Sequence, residues 1–230
     1  MKSIKIYALA LGLLAVFAGC QNDVVKPLEN DKEAPAPVRD VTYTKMSGSV
    51  LLTYTLPSDP DLLYVAASYT NKAGKKYEFK ASYFTNTLLV EGFGDTDTYS
   101  LDVYAVDRSE NYSEPVNIQV AADTPPVQAA YETLEVQPDF GGMTFSFDNA
   151  SKADLTVYVS TPNADNEMVN AETFYTGLAK ATFSVRGFLD VPRDFEICFE
   201  DKWGNRSPVK KENLTASQWK PDSDIRGRTR

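Results

Sequence analysis

From Val38 onward the chain alternates between apolar and polar positions in short runs, and Gly, Pro, Asp and Asn break the runs at regular intervals. A period of two puts successive side chains on opposite faces, so each run reads as a strand with one buried face. VRDVTYTK (38–45), SVLLTYT (49–55), LLYVAASYT (62–70), KYEFKAS (76–82), NTLLVEG (86–92), YSLDVYAVD (99–107) and VNIQVAA (116–122) predict seven strands. Between them lie the turn signals SGS, PSDPD, NKAGK and GDTD and the loop DRSENYS. Asp123-Thr124-Pro125-Pro126 closes the series, and paired prolines stiffen a junction between domains. The pattern then restarts. TLEVQ (133–137), MTFSFD (143–148), LTVYVST (155–161), MVNAETFY (168–175), KATFSVRG (180–187), DFEICFED (194–201) and SPVKKEN (207–213) predict seven more strands. No segment sustains a 3.6-residue apolar period, so the fold class is all-β.

Seven short strands in about 90 residues are the signature of an immunoglobulin-like sandwich. The chain therefore predicts two in tandem, over 38–123 and 126–216. The halves also align with each other. Val90, Gly92, Phe93 and Asp95 match Val185, Gly187, Phe188 and Asp190, and Tyr99 matches Phe195. The loops DRSENYS (107–113) and DKWGNRS (201–207) share Asp, Asn and Ser at the same offsets. A repeat of about 95 residues is a duplicated domain, since solenoid repeats are far shorter. The shared pattern resembles a fibronectin type III domain. The resemblance places Tyr99 at a corner where its hydroxyl bonds upstream backbone, a bond that Phe195 cannot make. The loop Asp and Asn are expected to cap their own turns.

The first twenty residues need separate treatment. Lys2 and Lys5 precede an apolar run, Ile6–Phe17, and small residues end in Cys20. The run suits a signal-peptide core and falls short of the roughly 20 residues of a membrane span. Phe17-Ala18-Gly19-Cys20 resembles a bacterial lipobox, which implies cleavage after residue 19 and a lipidated Cys20. Gln21 at the next position implies, by bacterial sorting rules, an outer-membrane destination. Residues 21–37 are polar and proline-punctuated and read as a tether.

Charge narrows the partners. The chain carries 23 Lys and Arg against 32 Asp and Glu, a net −9; losing Lys2 and Lys5 with the signal leaves 21 against 32, or −11. Such a chain has no electrostatic footprint for nucleic acid. After lipidation of Cys20, Cys198 is the last thiol, so no disulfide framework forms; Cys198 is expected to pack as a small apolar residue. There is no histidine, which removes the commonest general base and metal ligand. No cofactor, metal site or catalytic residue is predicted.

Two groups are candidate glycan or partner contacts. In such a sandwich, loop 57–61 and loop 108–112 lie at one end, so Asp59, Asp61, Glu110 and Tyr112 can converge. In the second loop, Trp203 offers a ring face to a sugar, with Asp201, Asn205 and Arg206 as hydrogen-bonding neighbours; the alternative is that Trp203 packs on a neighbouring domain. Trp219 lies in the polar tail.

DKEAPAP (31–37), LPSDPDLLYVAASYTNKAGK and VEGF…YSLDVYAVDRSENYSEP resemble the DUF4959 family of Bacteroidota surface lipoproteins, and the segment from Pro125, including DFGGMTFSFDN, resembles DUF5126. The resemblance implies an accessory surface protein of a polysaccharide-utilisation system, anchored in the outer membrane by lipid, with polysaccharide and glycan-import proteins as partners. Members commonly continue into a discoidin-like DUF5000 module, which this sequence does not contain. The leading expectation is non-catalytic glycan capture or scaffolding. The alternatives are a spacer that presents a further module, and, less favoured, a glycoside hydrolase using Asp61 and Glu110.

Overall fold

The computed structural model describes residues 31–217. The signal peptide, Cys20, most of the tether and Trp219 lie outside the described residues.

Both halves fold as predicted, into two tandem fibronectin type III-like β-sandwiches. The first contains β1 (Arg39–Met46), β2 (Ser49–Thr55), β3 (Leu62–Thr70), β4 (Lys76–Ser82), β5 (Thr87–Glu91), β6 (Thr98–Asp107) and β7 (Val116–Ala121). Sheet β1-β2-β5 faces sheet β4-β3-β6-β7, with antiparallel pairing throughout. Alternation decides what faces inward. In β2, Val50, Leu52 and Tyr54 are buried while Leu51, Thr53 and Thr55 are not. They meet Val65, Ala67, Leu101 and Val103 across the core, which an aromatic group of Tyr69, Phe93 and Tyr99 closes at one end.

The second sandwich contains β8 (Glu135–Asp139), β9 (Gly142–Asp148), β10 (Leu155–Pro162), β11 (Met168–Thr176), β12 (Lys180–Arg186), β13 (Pro192–Asp201) and β14 (Lys210–Thr215). Sheet β12-β9-β8 faces sheet β11-β10-β13-β14 around Met143, Phe145, Phe147, Val157, Ile197 and Phe199.

One element differs from expectation. A short helix, α1 (Pro126–Glu132), leads into β8 and displaces the predicted start of that strand from 133 to 135. Pro126 is no linker residue. It sits in the first turn, where its fixed φ and missing N–H cost nothing. Val127 and Ala130, three residues apart, bury against the second core. Two turns are too few to register as a period in the sequence.

The corner residues also need a correction. The Tyr99 hydroxyl donates to the Asp95 side chain at 3.1 Å, not to upstream backbone. Phe195 is buried and packs edge-on against Phe188 at 5.2 Å. Cys198 lies on the outer sheet face and is half-buried, so it is not part of the core.

Burial raises the phenols of Tyr54 and Tyr99 to about 12, with the neighbouring Asp95 adding to the effect at Tyr99. The unfolded value is ~10. The native state therefore keeps protons that the unfolded chain releases, and their contribution is whole below about pH 10 and lost as pH rises towards 12. Phenolate absorbance should show these two tyrosines titrating together with unfolding, and Tyr54→Phe plus Tyr99→Phe should remove that part of the alkaline destabilisation.

Candidate functional site

The duplicated loops are built by the same hydrogen bonds. In the β6–β7 loop, Asp107 Oδ1 accepts the amides of Ser109 (2.8 Å) and Asn111 (2.9 Å), and Asp107 Oδ2 accepts Asn111 Nδ2 at 2.9 Å. In the β13–β14 loop, Asp201 Oδ1 accepts the amides of Trp203 (2.9 Å) and Asn205 (3.0 Å), and Oδ2 accepts Asn205 Nδ2 at 2.9 Å. Ser113 and Ser207 close each loop, their Oγ atoms accepting the amides of Ala105 and Phe199 at 3.0 Å. These Asp residues cap backbone that would otherwise lose its partners in a tight turn.

Each loop then reaches the segment that precedes its own domain. Asn111 Nδ2 donates to Asp31 Oδ1 (3.1 Å) and to the Glu33 carbonyl (3.4 Å), while the Asp31 amide donates to Ser109 Oγ at 3.0 Å. Asn205 Nδ2 donates across the domain junction to the Gly92 carbonyl at 3.3 Å.

Trp203 lies at that junction. Its ring meets Tyr77 and Phe79 edge-on, both at 5.5 Å between centroids, and rests against Gly92. Tyr77 donates its hydroxyl to the Trp203 carbonyl at 3.3 Å. Lys202 pairs with Glu91 at 3.2 Å and stands 5.1 Å over the indole. A residue of the second domain is thus packed into the hydrophobic cluster of the first. Glycines make room for it. A Cβ at Gly92, which has φ +90°, would stand 3.2 Å from the indole, and one at Gly94 would stand 2.5 Å from Asn205 Oδ1.

Beside the Trp203 contact is an inter-domain cleft of about 510 Å³, lined by Met46, Leu89, Glu91, Asp154, Asp201 and Lys202 among others. Arg206 points elsewhere: it pairs with Glu200 and lies over the Tyr158 ring at 5.4 Å. So Trp203, Asp201 and Asn205 share the junction, while the Arg206 guanidinium is held by Glu200 and Tyr158 although the residue also borders a second junction pocket beside Asn71, Lys72 and Gly94.

The four residues expected to converge at the other end of the first domain separate into two groups. Glu110 and Tyr112 both meet the hydroxyl of Tyr64, at 3.0 and 3.3 Å, and Lys80 covers the Tyr64 ring at 4.5 Å. Burial, then the hydrogen bonds of Tyr112 and Glu110, push the Tyr64 phenol well up. Asp61 instead joins Asp31 and Asp107, and Asp59 stands beside Asp61. Asp59 Oδ1 accepts the Asp61 amide at 3.2 Å, and oxygens of Asp31, Asp61 and Asp107 lie within 4.8 Å of one another. Among the described residues this group could supply oxygens to a hard cation. Calcium takes roughly six to eight oxygens, so three carboxylates are part of a shell. Hydrogen bonding to Asp59, then partial burial and repulsion, raise the Asp61 carboxyl above its ordinary value. The share of Asp31 was missed in the sequence, because a tether aspartate 76 positions before Asp107 carries no local sign of the contact.

Residues 35–122 match DUF4959 and residues 123–218 match DUF5126, each described as a domain of unknown function. The chain is a DUF4959–DUF5126 tandem protein. Comparison with curated proteins returns no match. Among solved structures it is similar to SusE-like protein BT2857, at 32% identity over 40% of this chain and 32% of that one, with a TM-score of 0.36. The match thus spans about a third of that relative's length. It is also similar to a two-domain fibronectin type III segment of chicken tenascin, at 15% identity, 78% and 99% coverage and a TM-score of 0.36. The FN1–FN3 domains of chicken CNTN1 match at 11% identity, 81% and 68% coverage and a TM-score of 0.36.

Two outcomes follow from the DUF4959–DUF5126 geometry. Trp203→Ala removes a half-buried ring from the first core, and should destabilise the protein by about 2 kcal/mol, read by denaturant unfolding. Asp61→Asn should raise the melting temperature near neutral pH, where the crowded carboxylates are ionised. A raised carboxyl pKa withdraws stability as pH rises through it, so the gain should shrink as the solution is acidified into the carboxylate range.

Proposed function

We propose that this protein is a non-catalytic, lipid-anchored surface protein of the outer membrane, and that it acts as a stiff two-domain scaffold in a polysaccharide-utilisation system. The observation that carries the scaffold reading is Trp203: the ring that completes the first domain's aromatic cluster is presented by the second. Domains joined only by a linker move independently by default. Here a half-buried ring, an ion pair and two hydrogen bonds oppose that motion. The anchor and the glycan context rest on the lipobox and on the resemblance to surface lipoproteins of glycan-import systems, with those import proteins as partners.

The non-catalytic part has its own support. The candidate acids are engaged within the structure: Asp61 lies among Asp31, Asp107 and Asp59 and does not face Glu110, which turns to Tyr64. Asp107 and Asp201 cap their loops, Glu110 accepts from Tyr64, and Asp59 caps the turn at Asp61. A glycosidase pair needs one acid free to protonate a leaving group and a second facing it across the substrate.

A second reading, direct glycan capture, is favoured by the inter-domain cleft, which sets an aromatic ring beside Asp154, Asp201, Glu91 and Lys202. Such a mixture of one apolar face and a few convergent polar groups is what a small-ligand site offers.

One pair of measurements separates the readings. Small-angle scattering of the processed chain should fit a single inter-domain arrangement, and Trp203→Ala should broaden it. Affinity electrophoresis against plant, host and microbial polysaccharides should show no retardation for a pure scaffold. Retardation that Asp154→Ala abolishes would assign capture to the cleft, and a broad angular distribution in the unaltered protein would overturn the scaffold reading.

A further inference from the structure

The outward face of the four-stranded sheet in domain 1 carries a trough that neither the junction nor the duplicated loops use. Alternation puts Tyr64, Ala66, Ser68 and Thr70 of β3 on that face, because Val65, Ala67 and Tyr69 point into the core. The strand lies between β4 and β6. Ala66 pairs with Lys80 on one side and Tyr104 on the other, and Ser68 pairs with Glu78 and Asp102. Small side chains on the middle strand are thus flanked by taller ones on both neighbours. From Ala66 to Thr70 the floor runs about 13 Å at the ordinary strand rise. Ser68, Thr70, Lys76, Ser100 and Asp102 line one depression of about 360 Å³ within it.

Three polar groups of that depression have no partner among the described residues. Ser68 is 5% exposed, and no hydrogen bond engages its hydroxyl. Lys76 makes no ion pair, and Asp102 uses only Oδ1, which accepts Asn117 Nδ2 at 2.8 Å. A hydroxyl sunk below its neighbours is left short of hydrogen bonds, a deficit that a ligand hydroxyl would offset. Further along, the Tyr104 ring packs on the cluster of Tyr64, Ala66 and Val106 and meets Tyr112 edge-on at 5.7 Å. Burial, then Asp102 and Glu78, raise its phenol, so both carboxylates stand near it. The fold does not require the trough. Domain 2 places Tyr158 opposite Cys198, three residues before the loop Asp, where domain 1 places Ala66 opposite Tyr104, and Arg206 lies over the Tyr158 ring at 5.4 Å.

We propose that the trough binds a neutral oligosaccharide lying along β3, with sugar hydroxyls on Ser68, Lys76 and Asp102 and one sugar ring against Tyr104. The chemistry selects that class. Lys76 and Lys80 are balanced by Glu78 and Asp102, and Lys80 already pairs with Glu78 at 3.2 Å, so the site has no net charge to hold an ionic ligand. A donor, an acceptor and a hydroxyl in one depression suit groups that both donate and accept, as hydroxyls do. An extended peptide would need a free sheet edge, and β3 is an inner strand. The volume, with an aromatic wall and a few convergent polar groups, falls in the range of small-ligand sites. The depression shares no lining residue with the inter-domain cleft. It therefore goes beyond the scaffold reading and does not depend on it.

Amide chemical shifts of the processed chain carrying Cys20→Ser, titrated with cellohexaose, xylohexaose, mannohexaose and maltohexaose, test this. At least one hexamer should move the Ser68, Thr70, Ser100 and Asp102 amides and leave the Trp203 indole N–H in place. Ser68→Val keeps the shape and removes the hydroxyl, and should weaken that binding about fivefold. Tyr104→Leu should weaken it further, each with the rest of the spectrum unchanged. Should Ser68→Val disturb the fold, Asp102→Asn gives the same reading from the opposite wall. No shift with any hexamer at millimolar concentration would overturn the proposal, as would an affinity that the substitutions leave intact. Shifts centred on the Trp203 indole and Lys202 would overturn it in favour of the cleft. Scattering of the same sample reads the domain junction separately, so a flexible pair sinks the scaffold reading and leaves this one standing.

Discussion

The contact on which the two-domain architecture depends is the packing of one indole across the domain boundary. Tyr69, Tyr77, Phe79, Phe93 and Tyr99 form a connected aromatic group at one end of the first sandwich, and Trp203 joins it through Tyr77 and Phe79. An aromatic edge or face left in water at that end would forfeit both contact and burial energy. The second domain supplies the missing surface. The glycines at 92 and 94 are the corresponding concession in the first domain, since side chains there would hold the loop off. The inter-domain cleft is a consequence of this packing, because the same loop that seats the ring forms one of its walls.

The duplicated loop shows how one local device serves two tasks. Its Asp is engaged internally by two backbone amides and one side-chain amide, which fixes the turn. Its Asn is different. A carboxamide has two N–H bonds, and one goes to the loop Asp while the other faces outward. In the first domain that outward group holds the tether at Asp31 and Glu33, and in the second it holds Gly92. Each domain thus grips whatever precedes it in the chain. The grip differs in strength because only the second loop adds an aromatic ring. Gripping the tether brings Asp31 to Asp61 and Asp107, so the acidic composition of the chain becomes a local electrostatic cost at that end.

Much of this was legible from residue order. Two-residue alternation placed all fourteen strands within a few positions, because an amphipathic strand must bury one face and the period is then forced. The duplicated Asp-x-x-x-Asn-x-Ser pattern revealed the tandem repeat, and with it the two sandwiches. The helix α1 stayed hidden because seven residues are too short to show a period. The Tyr99 hydroxyl found Asp95 where upstream backbone was expected, a choice between two nearby acceptors that depends on the side-chain rotamer.

What the sequence determined by itself was the strand content, the repeat, the turn-capping roles of Asp107 and Asp201, and the absence of a histidine from any chemistry. These depend on contacts between near neighbours or on composition alone. Only the tertiary structure decided where Trp203 goes, which acids meet, and that Glu110 and Tyr112 turn to Tyr64 while Asp61 turns to the tether at Asp31. Those outcomes join residues up to 126 positions apart. Local pattern records the face of a strand on which a side chain lies, but what that face meets is set by how the two sheets and the two domains close on each other.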